Sequence, residues 1–117
     1  MAIQLKRAYV APASGDGERI LIDRLWPRGV SKDEARIDIW LKELAPSDGL
    51  RRWFNHDPAR WPEFKARYFR ELASHRELLA AISRRARRGR VTLVYGAKDE
   101  KHNNAVALRE LLRRRKA

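Results

Sequence analysis

At 117 residues the chain is the size of one domain, and its 44% hydrophobic content is that of a globular protein rather than a disordered one. The lack of any cysteine excludes a disulfide frame, a thiolate metal site and thiol catalysis. The formal net charge is +12, and most of it sits late: Arg84 to Ala117 hold 12 Lys/Arg against 3 Asp/Glu, whereas residues 1–83 hold 15 against 12.

Ile3 to Val10 carry strand-type residues and stop at Ala11-Pro12-Ala13-Ser14-Gly15-Asp16-Gly17, a loop by composition. Arg19-Ile20-Leu21-Ile22-Asp23 has the continuous apolar centre of a strand covered on both faces. The connection between these strands is short for a crossover, so an antiparallel pair stays open beside a parallel one. Trp26-Pro27-Arg28-Gly29 then breaks the second strand, and Ser31-Lys32-Asp33-Glu34 matches a capping box for a short helix.

Ile37, Ile39, Trp40 and Leu44 form an apolar cluster of ambiguous period, and Ser47 is placed to cap a short helix through Leu50, Trp53 and Phe54. After Asp57-Pro58, Trp61, Phe64, Tyr68 and Leu72 recur at three- and four-residue intervals, one face of a helix. Ser74-His75-Arg76-Glu77 reads as a second capping box, opening a helix with Leu78, Leu79 and Ile82 that ends at Gly89. Arg90 to Tyr95 is another buried strand, and Asn104 to Leu112 the last helix, with Val106 and Leu108 or Leu111 and Leu112 facing the core. The expected fold is α/β: a single domain over 1–117 whose sheet of about three to four strands, mostly parallel, is packed by helices.

The start lacks the apolar run of a signal peptide, and no stretch approaches the roughly 18 apolar residues of a membrane span. A cytoplasmic protein without a membrane partner is expected.

Ligands of open α/β sheets gather beyond the carboxyl ends of the strands. Both buried strands run into polar clusters there: Asp23-Arg24-Leu25-Trp26-Pro27-Arg28-Gly29, and Tyr95 to Asn104. If the strands are neighbours, the two loops face each other across one cleft. Arg24 and Arg28 carry planar forks suited to phosphate or carboxylate, and Lys98 adds a point charge. Gly29 and Gly96 let backbone approach closely, and the last helix, beginning near Asn103, offers free N–H groups to an anion. Asp23, Asp99 and His102 are candidates for proton transfer, and Trp26 and Tyr95 for the walls. A metal ion held by His102 with Asp99 is chemically open, but no ligand spacing is diagnostic, and neither a metal nor a cofactor is assigned.

Each residue also has a purely architectural reading. Asp23 with Arg24 can be an ion pair at the sheet edge, and Asp99 or Asn103 the N-cap of the last helix. His56-Asp57 is open to a metal, but His56 is expected to pack near Trp53, with Asp57 capping before Pro58, and Trp26, Trp40, Trp53 and Trp61 are expected in the core rather than as base-stacking platforms.

Asp23 to Gly29, Trp40 to Ser47, Trp53 to Pro58 with Trp61 and Phe64, and Thr92 to Asp99 with His102-Asn103 together resemble the YeaO-like branch of the domain of unknown function 488. The resemblance covers nearly the whole chain in order and implies a compact bacterial α/β protein, without implying a reaction. In the broader family the strand similar to Val91–Tyr95 is followed by Glu-Lys and then a Cys-His-Arg group. Here Lys98-Asp99 and His102-Asn103-Asn104 follow, so a thiol mechanism has no counterpart. The arginine-bearing turn after the second strand is similar in both branches, which favours anion binding as the shared property.

The leading expectation is a site for a small phosphorylated or nucleotide-like anion, with hydrolase or transferase chemistry open to it. The alternative is a basic nucleic-acid-binding or regulatory module without catalysis, acting through Arg84–Arg90 and Arg113–Lys116.

Overall fold

The computed structural model describes residues 2–115. The strands are β1 (Ile3–Arg7), β2 (Glu18–Leu21), β3 (Ile39–Trp40) and β4 (Val91–Tyr95), and the helices are α1 (Lys32–Ala35), α2 (Asp48–Phe54), α3 (Trp61–Leu72), α4 (Arg76–Arg88) and α5 (Asn104–Arg114). One parallel sheet results, in the order β1-β4-β2-β3. β4 is flanked on both sides, with Leu93 opposite Leu5 of β1 and Ile20 of β2. Every residue of β4 is buried, which is why Val91-Thr92-Leu93-Val94-Tyr95 shows no polar alternation.

The two faces of the sheet are covered differently. Ile3, Ile20, Ile22, Leu93 and Tyr95 meet the main core, to which α2 adds Leu50 and Phe54, α3 Phe64, Tyr68 and Leu72, α4 Leu79 and Ile82, and α5 Leu108 and Leu112. On the other face Leu21 and Val94 lie with Ala8 under Trp26, Ile37 and Trp40, which come from irregular chain and β3. The loop after β1 finishes that covering through polar contacts. The Asp16 carboxylate takes Lys6 at 2.8 Å and Arg19 at 2.7 Å, and the Thr92 hydroxyl donates to the Asp16 carbonyl at 2.7 Å. Burial works against the Asp16 charge, but bonds from Lys6, the Ala13 N–H and Arg19 outweigh it, and the pKa falls to about 2.

The first two strands do not pair, antiparallel or otherwise, because β4 inserts between them and runs parallel to both. β1 stops at Arg7, and Tyr9 and Val10 lie outside it, exposed. The ambiguous cluster contains the short edge strand β3, while Leu44 belongs to a single 3-10 turn. The Ser31 capping box is present, and Ser47 accepts the Leu50 N–H as expected. The second box is absent. Ser74 instead donates to the Glu71 carbonyl at the end of α3, and His75, without a side-chain cap bond, precedes α4. Gly89 ends α4 in extended backbone, its N–H donating to the Arg85 carbonyl. In α5, Ala105, Ala107, Leu108 and Leu112 are buried, whereas Val106 and Leu111 are only partly so.

Gly17 has φ +64°, and a Cβ there would lie 2.0 Å from the Arg90 carbonyl oxygen. The approach that starts β2 beside β4 therefore requires glycine at this position.

Candidate functional site

β2 and β4 are neighbours, so the chains leaving their carboxyl ends do converge, and they flank a cavity of about 310 Å³. Asp23, Arg24 and Leu25 line it from one side, Gly96, Ala97, His102, Asn103 and Asn104 from the other. α2 and the turns around it complete the wall with Ala45, Pro46, Arg51, Phe54 and His56, and Phe64 comes from α3.

Asp23 joins the two sides. One carboxylate oxygen accepts the Gly96 N–H at 2.8 Å, the other the Asn104 side-chain N–H at 2.9 Å. Gly96 suits this approach, since a Cβ there would stand 3.1 Å from the carboxylate. Burial raises the Asp23 pKa, and the Asn104 and Gly96 bonds and the charge of Arg51 offset it only in part. A carboxylate can accept about four hydrogen bonds, so Asp23 keeps acceptor capacity toward the cavity it lines.

The rim carries the positive charge. Arg24 reaches Asp48 at 3.2 Å and Arg51 reaches the same oxygen at 3.4 Å. All three side chains are about half exposed, at 50%, 45% and 51%, so these pairs are solvent-screened and weakly held. Two guanidiniums thus share one carboxylate, leaving a net positive charge at the mouth.

Aromatic rings form the floor. Phe54 stacks on Phe64 with centroids 4.4 Å apart, Trp61 stacks on Phe64 at 5.6 Å, and the His102 ring meets Trp61 edge-on at 5.4 Å. His102 Nδ1 lies 2.9 Å from Asp99, which also accepts the Lys101 and His102 backbone N–H groups at 2.8 and 3.0 Å. These bonds from the backbone and from His102 hold the Asp99 carboxyl below its usual range. Asp99 therefore organises the turn and orients His102 from outside the cavity. Asn103 is the N-cap of α5, accepting the Val106 N–H at 3.0 Å, and lines the cavity as well.

Of the residues singled out from sequence, Asp23, Arg24, His102 and Asn103 line this space. Trp26, Arg28, Gly29, Tyr95, Lys98 and Asp99 do not. Trp26 turns to the other face of the sheet, its ring 5.5 Å from Trp40 and its indole N–H donating to the Val30 carbonyl at 2.6 Å. Arg28 is exposed, with its carbonyl accepting the Tyr9 hydroxyl at 3.1 Å, and Gly29 follows it in a turn with φ +80°. Tyr95 is buried in the main core, and Lys98 is exposed. The Asp23–Arg24 ion pair does not form either, since Arg24 goes to Asp48.

Arg51 was not apparent from the sequence, His56 was expected elsewhere, and Asn104 was visible only as the end of the second polar cluster. Arg51 looks like the charged side of a short helix, and only the packing of α2 brings it to the cavity. His56 does not settle on Trp53, which instead lies beneath the Arg60 and Arg67 guanidiniums at 5.3 and 4.3 Å. Asn55 and His56 are successive non-glycine residues at φ 47° and 53°, and this reversal carries His56 to the cavity wall. Asp57 caps the next turn as expected, accepting the Ala59 N–H at 3.0 Å. Asn before His was the available signal, because Asn tolerates that conformation best. No group of three or more His, Asp or Glu poised for a metal occurs among the described residues.

The family model DUF488-N3i, described as the inactive DUF488-N3 subclade, matches residues 2–117. The chain belongs to this family. Among its DUF488-type relatives, the uncharacterized protein YeaO of Escherichia coli is 40% identical over 113 residues, spanning 97% of this chain and 98% of its own. Uncharacterized proteins of Mycobacterium tuberculosis and Mycobacterium bovis are each 38% identical over 110 residues, spanning 94% of this chain and 92% of theirs. No solved structure matches the chain. No helix among the described residues is long and apolar enough to cross a membrane.

Proposed function

We propose that the cleft beyond β2 and β4 binds a small phosphorylated or nucleotide-like anion and does so without turning it over. The observation that carries this reading is the shared carboxylate: Arg24 and Arg51 both lean on Asp48, half exposed, above an apolar floor. A phosphate entering the mouth gains two planar donors and displaces one weakly bound carboxylate. Beneath it, Phe54, Phe64 and Pro46 suit a flat ring, and Asp23, Asn103 and Asn104 offer acceptors and donors that favour particular polar edges.

Binding without chemistry is supported by three features. The family description speaks of an inactive subclade, and the thiol of the more distant relatives has no counterpart here. Asp23 also has a sufficient architectural task in joining Gly96 to Asn104.

Isothermal titration with nucleoside monophosphates, sugar phosphates and inorganic phosphate tests the proposal. Saturable binding that is lost in Arg24→Ala/Arg51→Ala, with the fold intact, is expected. Binding unchanged in that variant would refute the site, and product formation from a bound phosphoester would refute the absence of turnover.

A further inference from the structure

The arginine-rich segment that the cleft leaves unused builds a second feature at the opposite end of the sheet. A groove of about 540 Å³ runs between the last turns of α4 and the starts of β2 and β4. Arg84, Arg85, Arg88 and Arg90 line it, with Glu18 its only acidic member. Glu18 engages Arg85, and Arg90 donates to Gln4 at 2.9 Å. Arg84 and Arg88 have no acidic partner among the described residues, and both are exposed.

Topology adds Arg113 and Arg114 of the second arginine block to the same pole, while Lys116 lies outside the described residues. α5 starts beside the carboxyl end of β2, where Asn104 donates to the Ile22 carbonyl at 3.2 Å, and packs along β4 and β1. Its 11 residues rise about 16 Å, the length of a five-residue strand. Its last turn, with Arg113 and Arg114, therefore ends near the strand starts, where α4 hands over to β4. Arg113 and Arg114 thus stand at the same end of the sheet as the groove, Arg114 pairing there with Glu110 at 3.0 Å and lying over the Phe69 ring.

We propose that this pole binds the sugar-phosphate backbone of nucleic acid, without reading sequence. Capping of the α4 dipole calls for one or two cations, and four guanidiniums around one groove exceed that need. Arg84 and Arg88, one turn apart, stand about 6 Å apart along the helix axis, a span that holds roughly two phosphates of one strand. A single small phosphate would leave the α5 arginines idle, whereas a continuous backbone engages both blocks. A membrane surface fits less well. The exposed large apolar residues Tyr9, Val10 and Leu25 all follow the carboxyl ends of strands, at the other pole, so nothing here would insert.

The test is fluorescence anisotropy with labelled duplex and single-stranded oligonucleotides, at salt from 50 to 200 mM. Four phosphate contacts from the groove arginines alone predict a log–log slope of about −3.6 on duplex, about a 150-fold loss of affinity across that range, and contacts from α5 steepen it further. Arg84→Ala/Arg88→Ala, with wild-type circular dichroism and melting, should flatten the slope by about 2, and Arg84→Lys/Arg88→Lys should restore most of it. Failure of the wild type to bind at 50 mM, or an unchanged slope in the Ala variant, overturns the proposal. So does equal affinity for vesicles of anionic phospholipid. The cleft residues are untouched in these variants, so the two proposals stand or fall separately.

Discussion

The Asp23 carboxylate accepts the Gly96 N–H at 2.8 Å, across the gap between the segment that leaves β2 and the one that leaves β4. Together with the bond from Asn104, it ties both loops to the start of α5. The cleft owes its shape to this contact. Replacing Asp23 by Ala strands two donors, one of them the main-chain N–H of Gly96, and should cost about 1–3 kcal/mol in urea denaturation. A loss below a few tenths of a kcal/mol would show that the loops hold their places independently.

The Asp48 carboxylate competes with any anion for Arg24 and Arg51. Asp48→Asn should therefore tighten phosphate-ligand binding, by about fivefold at most, since an exposed pair is worth roughly 0.2–1 kcal/mol. Titration calorimetry reads this directly. Weaker binding in Asp48→Asn would mean that the carboxylate positions the guanidiniums rather than blocking them.

Asp16 makes acid stability informative. Its folded pKa of about 2 lies below the ordinary value of 3.8, so the unfolded chain binds its proton first as the pH falls. The stabilisation is complete above the unfolded pKa and is lost as the pH falls from about 4 through about 2, amounting to roughly 2 kcal/mol. Denaturation from pH 6 to pH 2 should show Asp16→Asn well below wild type at the upper end, with the gap closing at the lower. A gap that stays constant with pH would assign the loss to packing instead.

Tyr68 is fully buried and donates its hydroxyl to the Leu44 carbonyl. That bond pins the turn leading into Ala45 and Pro46, two residues of the cleft wall. Tyr68→Phe should cost about 1–2 kcal/mol by leaving a buried carbonyl unpaired. It should also weaken ligand binding at a site the hydroxyl never touches. Unaltered affinity would uncouple this turn from the cleft.

Much of the frame was legible because its signals are local. Val91 to Tyr95 announces a central strand by lacking charged residues and polar alternation, and Trp61, Phe64, Tyr68 and Leu72 announce a helix by spacing. The convergence of the loops after both buried strands was legible too, since any neighbouring parallel strands bring such loops together. What escaped depended on contacts distant in sequence. The pairing of β1 with β4 rather than β2 joins residues almost 90 positions apart. Arg28 and Arg24 look interchangeable in sequence, yet the turn after Trp26 sends one outward and leaves the other at the mouth. Arg51 and His56 reach the cleft only through the packing of α2, and no motif marks them. Ser74 shows the reverse error, a capping pattern overruled by a hydrogen bond to Glu71 in the helix before it.

The position of β4 in the sheet has a consequence for how the chain folds as it is made. In the sheet β1 and β2 meet only through β4, yet among the described strands β4 is the last to leave the ribosome. Until Val91 to Tyr95 emerge, Ile20, Leu21 and Ile22 have no neighbour on that edge, and three helices wait without a floor. Joining of β1 to the rest of the sheet is thus deferred until β4 is made, and any product truncated before Val91 keeps its apolar strand uncovered, as a substrate for chaperones or proteases.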